Sequence, residues 1–431
     1  MIPPTRLIVA LLAVATLLGG VSGCSSDRPT GPASGDHGSG CRELDASLEW
    51  HDGVREFLQS AINANSKCTG TADGAAHKVA IFDWDNTVVK NDIGYATNYY
   101  MLTHDLVLQP ANQDWHNTGR YLTDAAADAL SAACGKDVPA GEPLPTSSNA
   151  LCADEILSLL GSQTTTGRPA FAGSDARRLE GSYAWGNALS AGYSAEELAQ
   201  FAAAAKQQNL AADVGATQKV GTEDVDGYIR VYPQIKDLIA TLQAHGIDAW
   251  VVSASPEPVI KVWAGEVGID DQHVVGVRSV ADQSGKLTAH LLGCGGVRDG
   301  EDSVMPFADG KRCWANQVIF GVDGPQAFDQ LPQDRRQVLA AGDSNSDATF
   351  VGDATAVSLA INRNKAELMC RAYDGLYAKG GKWAVNPMFM DPLPQHPPYP
   401  CGQAFVNSDG SKGPVRDAAG NPIADQVDSI F

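Results

Sequence analysis

The chain has 431 residues, with 31 Lys and Arg against 51 Asp and Glu and a formal net charge of −20. That balance excludes a nucleic-acid binder relying on a general basic surface, because affinity for backbone phosphates comes from neutralisation by Lys and Arg. Apolar residues at 44% and charged residues at 19% permit a large buried core, while 44 Gly and 23 Pro make the chain turn-rich but not low-complexity.

At the N-terminus, Arg6 precedes an apolar stretch from Leu7 to Leu18, too short to span a membrane and suited to a secretion signal over residues 1–23. Val21, Ser22 and Gly23 before Cys24 resemble the lipobox of bacterial lipoproteins, in which Cys24 would be lipidated; an ordinary cleaved signal is the alternative. Residues 24–45, rich in Ser, Gly, Pro and Asp at their start, then read as a flexible tether. Removing residues 1–23 takes away one Arg and no acid, leaving a net charge of −21. Anionic lipid would repel such a body, so acyl chains would have to hold it at an extracytoplasmic, lipid-anchored position. Eight further cysteines, at 41, 68, 134, 152, 294, 313, 370 and 401, suggest disulfides in an exported chain. Short separations favour pairing them in sequence order, 41–68, 134–152, 294–313 and 370–401. No CxxC occurs, which weakens a zinc reading.

Lys78 to Phe82 is an apolar run ending at a carboxylate-rich turn, the pattern of a strand buried in a parallel sheet. From 93 to 221 the chain becomes Ala-rich, and a capping box from Ser194 to Glu197 opens an amphipathic run from Leu198 to Leu210; an all-helical insertion is expected. Strand and helix signals then alternate. Ile235 to His245 reads as a helix stopped by Gly246, Asp248 to Ser253 as a buried strand, and Pro256 to Val267 as a helix. His273 to Val280 and Lys286 to Leu292 read as a β-hairpin, and Gln337 to Ala341 and Ala356 to Ile361 as core strands. Residues 386–431 read as a Pro-rich tail, irregular over Asn386 to Cys401. The expected fold is α/β, with a mainly parallel sheet flanked by helices over 46–92 and 222–385.

Asp83 and Asp85 follow the first strand directly, and the C-terminal ends of strands are where open α/β sheets place ligands. Taken alone they could form an acidic surface turn. They are followed in order by Val251-Val252-Ser253, an apolar strand ending in Ser, by Lys311 near a helix start, and by Gly342-Asp343 with Asp347. With Asp83, Asp85 and Thr87 as DxDxT, this ordered set resembles the four motifs of the haloacid dehalogenase superfamily of phosphatases.

The resemblance implies a Rossmann-like core and a role for each residue. Asp83 would attack phosphorus, dividing one displacement into two easier ones, and Asp85 would protonate the leaving alcohol and later deprotonate water. Mg²⁺, a hard ion preferring oxygen ligands, would be held by Asp83, the backbone carbonyl of Asp85, Asp343 and Asp347. Ser253 would bind a phosphoryl oxygen, with Thr87 among the substrate-side residues, and Lys311 would stabilise charge; Lys261 and Lys286 are its rivals. A second Asp at position 85 favours phosphatase over dehalogenase chemistry, because only the former needs a leaving-group acid.

The insertion at 93–221 resembles the helical cap of phosphoserine phosphatase-like members. Asp92, nine residues after Asp83, stands where that group carries a Glu facing the substrate's ammonium, and Tyr95, Tyr99 and Tyr100 could add cation–π contacts. Asp92 can equally be a helix N-cap, and the tyrosines cap core. No arginine is identifiable for a substrate carboxylate; Arg120, Arg168, Arg177 and Arg178 are candidates without a motif. The expectation is a Mg²⁺-dependent phosphomonoesterase acting on a small ester resembling phosphorylcholine or phosphoserine. A lipoprotein that binds a phosphorylated ligand or partner without turnover is the alternative.

Overall fold

The structure, a computed structural model, describes residues 40–68 and 78–431; the signal segment, Cys24 and the tether up to residue 39 lie outside the described residues. Among the described residues no helix is long and apolar enough to cross a membrane.

Helix α1 (Val54–Ala64) buries Val54, Leu58 and Ile62, one side chain per turn. It leads to β1 (Lys78–Phe82). A two-residue β2 (Val89–Lys90) precedes the insertion, which contains α2 (Ile93–Thr103), α3 (Asp124–Cys134), α4 (Ala150–Leu160), α5 (Gly181–Ala188) and α6 (Ala195–Ala211). The capping box at Ser194 and Glu197 forms as the sequence implies. The insertion is not all helical, nor does it end at 221, since its last strand pair runs on to Asp226. β3 (Thr217–Val220) and β4 (Glu223–Asp226) make an antiparallel hairpin, with Gly221 at positive φ in the turn. The chain returns through β5 (Arg230–Val231), whose pairing with β2 closes the neck of the insertion.

Next come α7 (Pro233–Ala244), β6 (Ile247–Pro256), α8 (Glu257–Ala264) and β7 (Val274–Val277). They are followed by β8 (Ser279–Ala281), β9 (Leu287–Leu291), α9 (Asp309–Val318), β10 (Leu339–Gly342), α10 (Ala348–Gly352), β11 (Val357–Asn362), α11 (Ala366–Asp374) and β12 (Trp383–Pro387). The main sheet runs β12-β11-β10-β1-β6-β7, every pair parallel. β1 shows why a continuous apolar run is needed. Ala80 and Phe82 enter the core on one face with Leu58 and Leu238, whereas Val79 and Ile81 enter the other with Trp314 and Leu368.

Three further expectations need correction. His273–Val280 is not one arm of a hairpin: its first half joins the parallel sheet as β7, and only β8 pairs with β9, because four successive buried residues from Val274 to Val277 have two faces to cover. The core does not end at 385, since Asn386 and Pro387 pair with Ile361 and Asn362. Beyond them the tail packs Tyr399, Cys401, Val415 and Ile423 into the second core layer. Nor does the tether reach 45. Arg42 pairs with Asp237 at 2.6 Å and Leu44 is buried.

All four disulfides pair in sequence order. They close separations of 18 to 31 residues, each worth about 3 kcal/mol in the chain-entropy account.

Candidate active site

Three neighbouring strands, β10, β1 and β6, deliver Asp343, Asp83 and Ser253 to the same edge of the sheet, the C-terminal edge where parallel sheets open a crevice. Asp83 is anchored by its own N–H, which donates to the Ala341 carbonyl at 3.0 Å. One of its carboxylate oxygens accepts from Lys311 Nζ at 2.5 Å and the other from Thr87 Oγ1 at 3.1 Å. The Lys311 ammonium also reaches Asp347 at 2.6 Å, and at 1% exposure it is a charge committed to this cluster. Burial by itself would lower its pKa, but Asp347 and Asp83 outweigh that and hold it above the usual lysine range. The rivals are occupied elsewhere, Lys261 by Glu257 and Lys286 by Glu197.

Asp347 orients the loop. Its second oxygen accepts from the Asp343 N–H at 3.0 Å, the Ser344 N–H at 2.8 Å and Ser344 Oγ at 2.9 Å. A Cβ on residue 342 would lie 2.4 Å from Asp347 Cβ, so glycine is required there for close approach. Asp343 accepts from Thr87 at 3.1 Å and from Arg363 at 2.6 Å. Thr87, expected on the substrate side, is fully buried, its hydroxyl lies between Asp83 and Asp343, and it is not among the residues that line the cavity.

Oxygens of Asp83, Asp343 and Asp347 lie within 4.8 Å of one another. In the absence of a metal, burial and the charge of Asp347 hold the Asp83 carboxyl well above the usual range, opposed by Lys311. Three converging hard oxygen donors fit a divalent cation such as Mg²⁺, which would relieve that repulsion. Asp347 accepts four hydrogen bonds, three of them from its own loop, against two each for Asp83 and Asp343, which share the single Thr87 hydroxyl, so Asp83 and Asp343 are the better direct ligands.

Asp85 stands apart. Its oxygens accept from the Ile93 N–H and from Ser255 Oγ, both at 2.7 Å, and its carboxyl is not one of the three that converge. Burial, with the nearby charges of Asp92 and Asp83, pushes its carboxyl well above the usual range. A carboxyl that keeps its proton is suited to donating one. Gly94 permits this arrangement, since a Cβ there would meet Ser255 Oγ at 2.9 Å.

These groups line a cavity of about 540 Å³, together with Ser253 from β6, Asn98, Tyr183 and Asp226 from the insertion, and Met388 and Leu393 from the tail. Ser253 is buried and its oxygen accepts from the Ser255 N–H at 3.2 Å, leaving its hydroxyl hydrogen available to a phosphoryl oxygen. Asp92 is the N-cap of α2, accepting from the Tyr95 N–H at 2.8 Å, and it also faces the cavity. Of the three tyrosines only Tyr95 lines it; Tyr99 stacks behind Tyr95 and Tyr100 lies on His104. The aromatic wall is Tyr95, Tyr183 and Phe307, assembled from segments too distant in sequence for spacing to reveal.

None of the four candidate arginines lines the cavity. Arg177 is buried as a tie between Asp309, Thr349 and Glu367, bracing the start of α9 and hence Lys311. Four cations do line it, Lys90, Lys311, Arg363 and Lys365, and the last two follow the end of β11. Their signal in the sequence is their place after a core strand.

Burial lifts the Asp92 carboxyl to about 6, against an unfolded value near 4. The folded state therefore holds this proton more tightly than the unfolded state. Ionised Asp92 costs stability that grows as pH rises from about 4 to about 6. Asp92→Asn retains the cap and should stabilise the fold by about 1–2 kcal/mol at pH 8, cavity water reducing the full linkage value of about 3. Below pH 4 it should change little. Urea denaturation at both pH values checks this, and an equal effect at each would contradict it.

Residues 154–350 match the model of the haloacid dehalogenase-like hydrolase family, a span that includes Ser253, Lys311, Asp343 and Asp347 but not Asp83 or Asp85. Over that span, a little under half of its length, the chain is similar to haloacid dehalogenase-like hydrolases. No curated protein matches it in sequence. Among solved structures, a conserved functionally unknown protein from Anaerococcus prevotii DSM 20548 is similar at TM-score 0.57 and 16% identity, over 80% of this chain and 97% of that one; this shows shared fold. A substrate-bound phosphoserine phosphatase superposes at TM-score 0.29 and 13% identity over 66% of this chain and 86% of that one. A phosphoserine phosphohydrolase-like protein from Francisella tularensis subsp. tularensis SCHU S4 gives 0.32 and 14% over 72% and 94%. These last two superpositions are too remote to argue from.

Proposed function

We propose that the protein is a Mg²⁺-dependent phosphomonoesterase that cleaves a small phosphate ester through an aspartyl-phosphate on Asp83. The observation carrying this is the contrast between two carboxyls one residue apart. Asp83 lies against Lys311 within the acidic cluster, whereas Asp85 is held away from that cluster by Ser255 and Ile93 with its proton favoured. Both carboxyls are raised without a metal, but only Asp83 has Lys311 and the cluster that would take a cation beside it to hold it ionised, and that difference in partners divides nucleophile from acid.

Asp83 attacks phosphorus and expels the alcohol, which takes its proton from Asp85. Asp85, now ionised, accepts a proton from the water that attacks the phosphoaspartate. Ser253 and Lys311 hold phosphoryl oxygens as charge shifts among them. Mg²⁺ held by Asp83 and Asp343 would supply positive charge to neutralise the phosphate. The insertion shields the site from bulk water. Binding without turnover gives no use to a proton-bearing Asp85. Four disulfides agree with an exported protein, and lipid anchoring through Cys24 at a bacterial envelope membrane is part of the same proposal. The substrate is read as a small ester of the phosphorylcholine or phosphoserine kind.

Hydrolysis of p-nitrophenyl phosphate tests this reading. Turnover should vanish on chelation and return with Mg²⁺, and hydroxylamine should trap an acyl phosphate during turnover. A rate indifferent to chelation would overturn it.

A further inference from the structure

Arg363 and Lys365 lie two residues apart on the loop after β11, and both side chains line the cavity. Between them they have one acidic partner. Arg363 pairs with Asp343 at 2.6 Å, while the Lys365 ammonium has no hydrogen-bond or ion-pair partner among the described residues. Burial and the charge of Arg363 lower the Lys365 pKa, opposed by Asp343. If Asp343 serves a metal, as proposed above, neither cation of this wall keeps another carboxylate at ion-pair distance among the described residues, the charge of Asp92 reaching Arg363 only from farther off.

The same wall bears on the amine reading. The charge of Arg363 is felt by Asp92 and by Tyr183, so a quaternary ammonium placed between Asp92 and the aromatic wall would share its recess with a guanidinium. An anion there would gain what the ammonium loses.

We propose that Arg363 and Lys365 form a second anion subsite, which binds a carboxylate or second phosphate on the alcohol half of the substrate and selects phosphate monoesters of acidic alcohols over phosphorylcholine. This rests on the reading that the Asp83 end takes the transferred phosphate.

The test compares esters differing by one anionic group, using the full chain with Mg²⁺. The carboxylate pairs are phosphoserine against phosphoethanolamine and phosphoglycolate against ethyl phosphate. The phosphate pair is fructose 1,6-bisphosphate against fructose 6-phosphate. In at least one arm the acidic member should have the higher kcat/KM by about tenfold or more, the scale of one charge-assisted contact. Which arm responds separates carboxylate from phosphate. Lys365→Gln should lower that ratio severalfold and Lys365→Glu should invert it. Because both esters are read on the same preparation, partial misfolding cancels. Ratios near one in every pair, or ratios unmoved by Lys365→Glu, would overturn the proposal. Should no ester turn over, the phosphomonoesterase reading fails instead. The subsite is then judged by calorimetric binding of the same pairs to the unmodified chain, with the same ratios expected in Kd and equal affinities counting against it.

Discussion

Asp83→Asn should reduce phosphatase turnover by on the order of 10⁵-fold while leaving the fold intact. An amide oxygen is a poor nucleophile and cannot carry the phosphoryl group as a mixed anhydride. The change is nevertheless isosteric. An amide oxygen at position 83 can still accept from Lys311 or from Thr87, the two donors that Asp83 serves, and Lys311 retains Asp347. Removing one of three clustered carboxylates also relieves the repulsion that burial imposes on Asp83, so thermal stability without metal should be equal or higher. Steady-state assays with p-nitrophenyl phosphate, alongside thermal melts, measure both halves. Residual activity above a few per cent in a homogeneous preparation would exclude Asp83 as the nucleophile.

The second large effect depends on the leaving group. Asp85→Asn removes the proton donor but not the nucleophile, so cleavage of alkyl phosphates should fall by about 10²–10⁴-fold. With p-nitrophenyl phosphate the first step needs no proton, because nitrophenolate departs as a stable anion. Hydrolysis of the phosphoaspartate then loses its general base and becomes limiting. Stopped-flow traces should show a burst of nitrophenolate close to one equivalent, followed by a slow steady rate. Equal losses for both substrate types without a burst would remove Asp85 from acid–base duty and leave it as the group that holds Ser255 and the start of α2.

Much of the site is legible before any fold is known. A strand buried on both faces must be apolar throughout, so Lys78–Phe82 is readable, and the two acids after it are placed by the end of that strand. Lys311 stands out less, since a lysine near a helix start is commonplace. Its distinction is a 1% exposed ammonium between Asp83 and Asp347, which no local pattern reports. Arg177 misleads for the same reason. It meets the need for a substrate-binding arginine by lying in the insertion, yet its guanidinium is consumed by Asp309 and Glu367. β7 escapes a correct assignment because a four-residue apolar run bordered by a turn fits either a hairpin arm or a sheet edge.

From residue order alone come the strand and helix periodicities, the local disulfide pairing and the four chemistry-bearing segments, since each depends on neighbours a few to a few tens of residues apart. Which side chains face one another across the cavity is settled only by folding. Asp83 and Lys311 are 228 positions apart, Ser255 and Asp85 are 170 apart, and Arg363 reaches the site from beyond the last motif. Such contacts are set by how the sheet, the insertion and the tail pack. Packing energy is summed over whole surfaces and leaves no short-range pattern along the chain.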